Sequence, residues 1–283
     1  MAMNGGGWAI ELERIGKRFG DRTALEGVDF RCAPGEMVAV VGASGAGKST
    51  LLRLINGLLP ASEGEARVLG QTLQSGGRLL PGAKRLRAQI GFVFQRFNLV
   101  ERLTALQNVL AGTLAKAPTL RTAARLFTRA EKLRAMAALD RVGILERAEQ
   151  RASELSGGEQ QRVAIARCLM QEARIVLADE PVASLDIESA RKVMELLAEL
   201  NREDGTTILL STHQIPTVRR YCPRTLALNG GHVALDGETE RLDEAALARI
   251  YGTHVDELVL SDPAPHPSVA AGGANGADHG KRG

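Results

Sequence analysis

The stretch of sequence that decides the fold is Gly42-Ala43-Ser44-Gly45-Ala46-Gly47-Lys48-Ser49-Thr50. It matches the pattern G-x-x-x-x-G-K-[ST], in which the backbone N–H groups of a glycine-rich loop surround the phosphates of a nucleotide. Residues 37–41, just before it, form an apolar, β-branched run that predicts a buried parallel strand. Residues 49–57 predict a helix that Gly57 ends. A strand, this loop and a helix in that order predict a nucleotide site in an α/β fold.

The residue types in this loop suit the binding of phosphate. Gly42, Gly45 and Gly47 lack a Cβ atom, so the backbone can turn tightly and bring its N–H groups close to phosphate oxygens. The helix that follows adds the positive end of its dipole, equivalent to about half a charge. We expect Lys48 to reach the β- and γ-phosphates and the Ser49 hydroxyl to bind Mg²⁺. The alternative, a glycine-rich turn that matches by chance, does not account for the flanking strand and helix.

Composition limits the classes of protein to which the chain can belong. Its 283 residues suffice for one large domain or two small ones, and 44% hydrophobic residues support a sizeable core. The 36 basic and 33 acidic residues nearly balance, which gives no electrostatic case for a nucleic-acid partner. Three scattered cysteines are typical of a reducing compartment. With no signal sequence and no apolar run of the roughly 18 residues that a membrane span needs, we expect a soluble cytoplasmic protein.

The rest of the chain alternates strand and helix patterns around one helical stretch. Residues 10–30 alternate polar and apolar residues between glycines, which predicts antiparallel strands joined by turns. Further patterns predict strands at 64–68, 90–95, 175–178, 206–211, 225–228 and 232–235, and helices at 159–171 and 187–202. Strands that alternate with helices predict a parallel sheet, here with a helical insertion between 104 and 150.

The helical insertion carries two periodic patterns. Residues 122–139 have almost no Gly or Pro and predict a helix, with apolar residues at Leu126, Leu133, Met136 and Leu139. Arginines also recur every four residues, at Arg121, Arg125 and Arg129. They could form an anion-binding stripe, but a solvated helix face is the more ordinary interpretation. The end of the chain, 261–283, is rich in Ala, Gly and Pro and is predicted to be a disordered tail.

A second predicted strand delivers two carboxylates. Residues 174–178 are mainly apolar and lead directly into Asp179 and Glu180. Ligands bind at the carboxyl ends of the strands in an open α/β sheet. We therefore expect Asp179 to hold Mg²⁺ and Glu180 to take a proton from the water that attacks the γ-phosphate. A pair of acidic residues that merely follow a strand is the alternative, which a phosphate loop elsewhere in the chain makes less attractive.

Between these two stretches lies the octet Leu155-Ser156-Gly157-Gly158-Glu159-Gln160-Gln161-Arg162. It resembles the signature sequence of ABC-type ATPases, and other elements of that family follow in the family's order. Phe19 resembles the A-loop aromatic that stacks on adenine, Gln95 the Q-loop glutamine, and His213 the switch histidine. Ser184-Leu185-Asp186 resembles the D-loop. Judged alone, Phe19 and His213 would each suit a core position.

The resemblance, which covers residues 10 to about 250, implies a fold and its boundaries. The fold would be a P-loop ABC-type ATPase core with a mostly parallel sheet, an antiparallel β subdomain and an inserted α-helical subdomain. The ATP-binding cassette would cover residues 8–250, with the helical subdomain at roughly 100–170. Residues 261–283 would follow it as the tail.

The resemblance also implies how ATP is bound and hydrolysed. ATP would contact Phe19 and Gly42–Thr50, and the catalytic residues would be Glu180, His213 and Gln95. Mg²⁺ would be held by Ser49, Gln95 and Asp179. Residues 156–158 open a helix with free N–H groups, which makes a second anion site. In the family this site faces the nucleotide of a partner subunit, so Leu155, Ser156, Gly157, Gly158, Glu159 and Gln160 would act in trans within a homodimer.

Finer features resemble the ATP-binding subunits of phosphonate importers, namely residues 95–104, 141–143, 150–152, 177–186 and 221–222. They imply integral membrane permease subunits, a periplasmic substrate-binding protein and a place on the cytoplasmic face of the bacterial inner membrane. Methionine and amino-acid importer subunits share several of these features, so those substrates, or phosphate, stay open as alternatives. Two residues depart from the pattern, since Ile187 replaces a usual Pro and Glu159 a frequent Gln.

A non-transport ABC ATPase is the alternative from a different class. The region after Gln95 distinguishes the two classes, because a transporter subunit needs an apolar groove for a cytoplasmic helix of its permease. We define this predicted docking groove as Phe97, Leu99, Val100, Leu103 and Leu106. The competing interpretation is that these residues belong to the core.

Overall fold

The structure, a computed structural model, describes residues 7–115 and 127–252. The strands are β1 Ile10–Phe19, β2 Arg22–Cys32, β3 Met37–Val41, β4 Glu63–Val68, β5 Gln71–Ser75, β6 Arg78–Leu79, β7 Ile90–Val93, β8 Ile175–Asp179, β9 Thr207–Ser211, β10 Arg224–Asn229 and β11 His232–Glu238. The α-helices are α1 Lys48–Ile55, α2 Ala83–Arg87, α3 Ala105–Leu110, α4 Arg129–Arg141, α5 Gly157–Met170, α6 Ile187–Asp204, α7 Ile215–Tyr221 and α8 Glu244–Tyr251. The predicted tail, 261–283, lies outside the described residues, as do Arg121, Arg125 and Leu126.

Six strands form the sheet that carries the phosphate loop, in the order β11-β10-β3-β9-β8-β7. The five from β10 to β7 run parallel, and β11 pairs antiparallel with β10 at the edge. Because β9 lies between β3 and β8, the carboxyl ends of these three strands meet at one edge of the sheet. Ligand sites of open α/β sheets form at this edge. The predicted, mostly parallel sheet is confirmed.

A second sheet is antiparallel, in the order β2-β1-β4-β5-β6. Its first two strands form a long hairpin in which Phe19 lies opposite Arg22, with Gly20 in the turn at a φ of 55°. The predicted strands of residues 10–30 and of residues 64–68 are therefore confirmed. The strand β5 is not predictable from its sequence, since Leu73 is the only large apolar residue in it.

The two faces of β3 belong to different parts of the core. Val38 and Val40 pack with α1 and the antiparallel sheet, whereas the other three residues pack with the helices on the opposite face. Burial on both faces explains why the strand is apolar at every position. On the first side, Leu51, Leu52 and Ile55 of α1 are fully buried. Each such side chain contributes roughly 1.5–3 kcal/mol, so this packing fixes the start of α1 and with it the phosphate loop.

The helical insertion contains α3 and α4, both packed against α5. α4 begins after Thr128, whose hydroxyl accepts a hydrogen bond from the Glu131 N–H while the Glu131 carboxylate accepts one from the Thr128 N–H. This cap interrupts the predicted helix 122–139, which in the described part runs from Arg129 to Arg141. Arg129 itself is exposed, as a solvated face requires.

Of the apolar residues in that helix pattern, Leu139 is buried, whereas two others are not. Leu133 and Met136 are 57% and 39% exposed, and the buried side chains of α4 are Ala135, Ala138 and Leu139. The apolar spacing identifies residues that share a side of the helix, but it does not say which side another helix covers. Here two alanines face inward, where small side chains let the backbones of α4 and α5 approach closely.

Three short helices, α2, α7 and α8, have no counterpart in the sequence prediction. α8 begins after Asp243, whose carboxylate accepts a hydrogen bond from the Ala246 N–H. The other predicted strands and helices are confirmed within a few residues, and α5 begins at Gly157 because Ser156 caps it. The cassette bounds of 8–250 and the helical subdomain at roughly 100–170 stay predictions.

Candidate nucleotide-binding site

The phosphate loop forms the connection between β3 and α1. Gly42, Gly45 and Gly47 have φ angles of 146°, 80° and 106°, in a region that glycine adopts far more readily than other residues. A Cβ atom on Gly42 would collide with the carbonyl oxygen of Leu228, and one on Gly47 would lie 2.7 Å from the carbonyl oxygen of Ala24. The glycines are thus required both by the backbone conformation and by the close approach of neighbouring strands.

Lys48 is the first residue of α1 and is only 7% exposed. Its ammonium group donates hydrogen bonds to the carbonyl oxygens of Gly42 at 2.7 Å and Ala43 at 3.1 Å. Burial lowers the pKa of Lys48, and the carboxylates of Glu180 and Asp179 oppose that shift. The side chain therefore folds back over its own loop, where phosphate oxygens could replace the two carbonyl groups as its partners.

Asp179, at the end of β8, joins three elements of the site. Its Oδ1 atom accepts hydrogen bonds from Ser49 Oγ at 2.7 Å and from Ser211 Oγ at 2.8 Å. Its Oδ2 atom lies 3.8 Å from the guanidinium group of Arg53. The sheet explains the arrangement, because Asp179 lies opposite Ser211 in the pairing of β8 with β9. Hydroxyl and carboxylate oxygens are the hard ligands that Mg²⁺ prefers, so the pair of Ser49 and Asp179 fits this ion.

Glu180 follows Asp179 in a left-handed backbone conformation with a φ of 48°. Its N–H group donates to the carbonyl oxygen of Ser211 at 3.1 Å and lies 3.0 Å from Ser211 Oγ. A non-glycine residue in this conformation carries strain, and such residues cluster at active sites. The strain here is held by the contacts with the neighbouring strand.

Glu180 and His213 both line the cavity in front of the loop, with 4.0 Å between Glu180 Oε1 and His213 Nδ1. The interaction with the imidazole holds the pKa of Glu180 below its ordinary value. The same carboxylate raises the pKa of His213. Glu180 is therefore ionised at neutral pH, which is the state that a proton acceptor needs.

This cavity has a volume of about 570 Å³. It is lined by Phe19, Arg22, Ala24, Ser44, Gly45, Gly47, Lys48, Ser49, Thr50, Glu180 and His213. The structure thus brings together residues from both halves of the chain that the sequence selects separately. Phe19 is 48% exposed at the end of β1, so its interpretation as a core residue is wrong. Its ring lies 5.0 Å from the Lys17 ammonium group.

The signature residues lie elsewhere, and none of Leu155–Gln160 lines this cavity. Ser156 Oγ accepts a hydrogen bond from the Glu159 N–H at 3.3 Å, and the Glu159 carboxylate accepts one from the Ser156 N–H at 2.8 Å. The other oxygen of Glu159 lies 3.0 Å from Nε of Arg147. Glu159 can replace the glutamine frequent in this branch because it closes the helix cap and has a cationic neighbour.

The D-loop residues lie beside the start of α5. Leu185 packs against Gly157, since a Cβ atom on that glycine would lie 3.1 Å from Leu185 Cδ2. Ser184 is exposed, and Asp186 caps α6 by accepting a hydrogen bond from the Ser189 N–H at 2.9 Å. Ile187, the other departure from the family pattern, is 78% exposed at the first position of α6.

Gln95 is exposed just after β7 and does not line the cavity. Two residues further on, Phe97 and Asn98 both have a φ of 51°, and their carbonyl oxygens accept hydrogen bonds from Arg167 at 3.4 and 2.8 Å. None of the five docking-groove residues is buried, and Val100 is 45% exposed. Leu99 and Leu106 nevertheless pack against the core of the helical side, so the docking groove and the core interpretation both stay predictions.

Three residues that contact the site belong to no recognisable sequence motif. The Ser211 hydroxyl donates to the Asp179 carboxylate and accepts from the Glu180 N–H group, and Arg22 lines the cavity from the β1–β2 hairpin. Tyr251, at the end of α8, accepts a hydrogen bond from the Gly42 N–H. The first two could have been found by pairing the predicted strands, because they lie opposite Asp179 and Phe19. No local signal points to Tyr251.

Comparison with known proteins identifies the family to which the chain belongs. The family model described as ABC transporter matches residues 25–183. The chain belongs to the ABC transporter family. This ABC transporter chain is 55% identical over 252 residues to the phosphonates import ATP-binding protein PhnC 1 of a Nostoc species, covering 89% of this chain and 95% of the relative. It is 53% identical over 255 residues to PhnC 2 of Pseudomonas savastanoi, covering 89% of this chain and 92% of that relative.

Solved structures of ABC cassettes share its fold. The dimeric post-hydrolysis structure of the ATP-binding cassette MJ0796, bound to ADP and Pi, superposes with a TM-score of 0.71 at 34% identity and covers 81% of this chain and 98% of its own. The predicted ABC-type ATPase fold is confirmed. As an ABC transporter ATPase, the chain binds and hydrolyses ATP. In residues 7–115 and 127–252, no helix combines the length and the apolar character that crossing a membrane requires.

Proposed function

We propose that this ABC transporter chain is the ATP-binding subunit of a phosphonate importer. The observation that carries the proposal is the 55% identity to a relative named for phosphonate import, 95% of which is covered by the match. The intact phosphate-loop site agrees with it, because an energy-coupling subunit must bind and hydrolyse ATP. The subunit would act on the cytoplasmic face of the bacterial inner membrane, beside permease subunits that receive substrate from a periplasmic binding protein.

Within one chain, ATP would occupy the cavity in front of Gly42–Thr50. The loop N–H groups and the N-terminus of α1 would surround the β- and γ-phosphates. Lys48 would exchange its two carbonyl partners for phosphate oxygens, so its ammonium group would have hydrogen-bond acceptors both with and without nucleotide. Phe19, exposed at the mouth of the cavity, would stack on adenine, and Arg22 adds a cation to the same wall.

Three residues of the chain would hold Mg²⁺ at this site. Ser49 and Asp179 already lie within hydrogen-bond distance of each other, at 2.7 Å. Gln95, exposed after β7, would supply a further oxygen ligand. When bound, the ion would neutralise charge on the phosphates.

Glu180 would accept the proton of the attacking water. It lines the cavity as an ionised carboxylate and is held in position by the contacts of its backbone with Ser211. His213, whose Nδ1 lies 4.0 Å from the Glu180 carboxylate, would contact the γ-phosphate and stabilise the charge that develops during transfer. Gln95 would complete this catalytic set by helping to position the water.

The signature of a second copy would close the site. Ser156–Gly158 open α5 outside the cavity of their own chain, with Ser156 exposed. In a homodimer with two nucleotides between the chains, each signature would lie against the γ-phosphate bound by its partner. The dimeric state of MJ0796 with ADP and Pi supports this assembly as a form that the fold adopts.

The docking groove would receive a cytoplasmic helix of the permease. Leu99 is half-buried there, so Leu99→Asp should disrupt docking through the cost of desolvating a charge. Leu133→Asp is the matched control, because Leu133 is an exposed leucine of α4 outside the groove. Co-purification with the permease should fail for the first variant and persist for the second. Equal recovery of both complexes would exclude the groove.

Growth on defined phosphorus sources tests the substrate. A strain that lacks the gene should fail to grow on a phosphonate as the only phosphorus source but grow on inorganic phosphate. The parent gene should restore growth, and the Glu180→Gln variant should not. Normal growth of the deletion strain on phosphonates, with lost uptake of methionine or amino acids, would support another importer. Intact uptake of all of these would favour a non-transport ATPase.

A further inference from the structure

Gly42, the first residue of the phosphate loop, is held by hydrogen bonds at both its N–H and its carbonyl group. Its carbonyl oxygen accepts the hydrogen bond from Lys48 Nζ at 2.7 Å. Its N–H group donates to the hydroxyl oxygen of Tyr251 at 3.2 Å, in a buried contact between residues 209 positions apart. The last described helix of the chain thus contacts the loop that begins the nucleotide site.

The N–H group of Gly42 needs such a partner because β3 ends at Val41, and the hydrogen bonds between strands end with it. The β3 ladder ends with Val41 opposite Ala227 on one side and Val40 opposite Ser211 on the other. Gly42 is buried, and a buried N–H group without a partner is costly. Among the described residues, the acceptor that this N–H group finds is the hydroxyl oxygen of Tyr251, which reaches it from another helix.

Tyr251 is well fixed for this task. Its side chain is 5% exposed, and α8 is tied to the end of β10 by a hydrogen bond from Asn229 Nδ2 to the carbonyl oxygen of Arg249 at 2.9 Å. Burial raises the pKa of Tyr251 to about 12. The phenol therefore stays protonated and uncharged at physiological pH, and its oxygen remains a neutral acceptor.

We propose that Tyr251 is a positioning residue for nucleotide binding, which holds Gly42 so that the phosphate loop keeps its binding conformation before nucleotide arrives. The inference rests on the nucleotide site proposed above. The carbonyl group of Gly42 also accepts the hydrogen bond from Lys48, so a shift of this residue displaces both the start of the loop and the lysine. If the loop also populates other conformations, the affinity for nucleotide falls in proportion to the fraction that is competent.

The Tyr251→Phe variant tests the proposal because it keeps the ring in the core and removes only the hydroxyl group. The matched control is Tyr221→Phe, since the Tyr221 hydroxyl is buried with no hydrogen-bond partner among the described residues. The dissociation constant for ADP, measured by titration calorimetry on the purified full-length chain, reports the loop without requiring a dimer. It should rise about three- to tenfold in Tyr251→Phe, the effect of one hydrogen bond, and stay at the parental value in Tyr221→Phe.

Two further readouts separate positioning from general stability. The KM for ATP should rise by a similar factor while kcat stays near the parental value, because Glu180 and His213 are unchanged. Thermal unfolding with and without saturating ADP should show a smaller nucleotide-dependent shift in Tyr251→Phe than in the parent. A melting temperature that falls equally in both conditions, with parental ADP affinity, would mean that Tyr251 is only structural and would overturn the proposal. Failure of the parent protein itself to bind ADP would instead contradict the nucleotide site.

Discussion

The phosphate-loop half and the signature half of the molecule present their ligand-binding groups in opposite ways. Lys48 and Asp179 are 7% and 5% exposed, and both are hydrogen-bonded to groups of their own chain. Ser156 is exposed at the start of α5, and its cap is closed by Glu159 three residues later. One half is a pocket with several walls, whereas the other is an open helix end.

This difference indicates which step of ATP binding and hydrolysis a single chain can perform. A pocket assembled from β1, the phosphate loop, β8 and the segment after β9 can bind nucleotide on its own. An open helix N-terminus offers N–H groups and a dipole, which stabilise an anion only when another surface brings it there. We therefore expect nucleotide binding to be a property of one chain and rapid hydrolysis to be a property of a pair.

The largest effect should come from the buried half. Lys48→Ala removes the cation that would face the β- and γ-phosphates, so hydrolysis should fall below detection. Affinity for ADP should drop roughly tenfold to a hundredfold, because a hydrogen bond to a charged group is worth about 1.5–3 kcal/mol. Calorimetry and a phosphate-release assay measure the two effects. Lys84→Ala, at an exposed lysine of α2, is the control and should match the parent. Normal hydrolysis by Lys48→Ala would mean that the site is misassigned.

The second prediction joins the two halves. Glu180→Gln keeps the size of the side chain but removes its capacity to accept a proton, which should lower the hydrolysis rate by about 10²–10⁴. ATP binding should survive, because Lys48, Ser49 and Asp179 are unchanged. Unhydrolysed ATP would then hold two chains together. The variant should elute from size-exclusion chromatography as a monomer without nucleotide and as a dimer with ATP.

The exposed half decides whether that dimer uses the signature. Adding Ser156→Arg to Glu180→Gln places bulk where the phosphate of the partner must lie, so the dimer should disappear while ADP affinity stays unchanged. Adding Ser153→Arg, at an exposed serine three residues earlier, is the matched control and should leave the dimer intact. A Glu180→Gln protein that stays monomeric in excess ATP would speak against a site shared between chains.

The same contrast explains what the sequence could and could not predict. β3, the phosphate loop and α1 follow from local sequence patterns, so their order and the need for glycines in the loop can be predicted from neighbouring residues. Asp179 and Glu180 can be predicted because they come at the carboxyl end of a buried strand, which lies at the edge of the sheet where ligands bind. Tyr251 cannot, since its contact joins residues 209 positions apart through a helix with no motif. The exposure of Leu133 was missed for a related reason, because periodicity does not identify the covered face.

The third prediction concerns the helix cap of the signature. Glu159→Ala removes the acceptor for the Ser156 N–H and the partner of Arg147, so the free energy of unfolding should fall by about 1 kcal/mol. Glu159→Gln keeps an acceptor oxygen and should lose clearly less. Denaturant titration measures both changes, and ADP affinity should be unaffected because the cap lies outside the cavity. Equal losses in the two variants would show that the charge, not the hydrogen bond, stabilises the start of α5.

The smallest effect concerns the pair of Glu180 and His213, and it depends on pH. Glu180 raises the pKa of His213 above its ordinary 6.5, so the folded state binds this proton more tightly than the unfolded state. The resulting stabilisation is fully present below 6.5 and is lost as the pH rises through the value of the folded protein. The lowered pKa of Glu180 acts in the opposite sense, since its contribution is present above the ordinary 4.5 and is lost as the pH falls.

The pair should therefore stabilise the fold most between these two values, and only slightly, because the His213 side chain is 49% exposed. In a proton NMR titration, Glu180→Gln should move the pKa of His213 down towards 6.5. Glu26→Gln is the control, since the Glu26 carboxylate lies 3.6 Å from a different histidine, His232, and should leave the pKa of His213 unchanged. The melting temperature of His213→Gln should lie below that of the parent at about pH 6 and approach it at about pH 8. A difference that grew with pH would mean that His213 acts in its neutral form, as a hydrogen-bond donor to the carboxylate and not as its counter-ion.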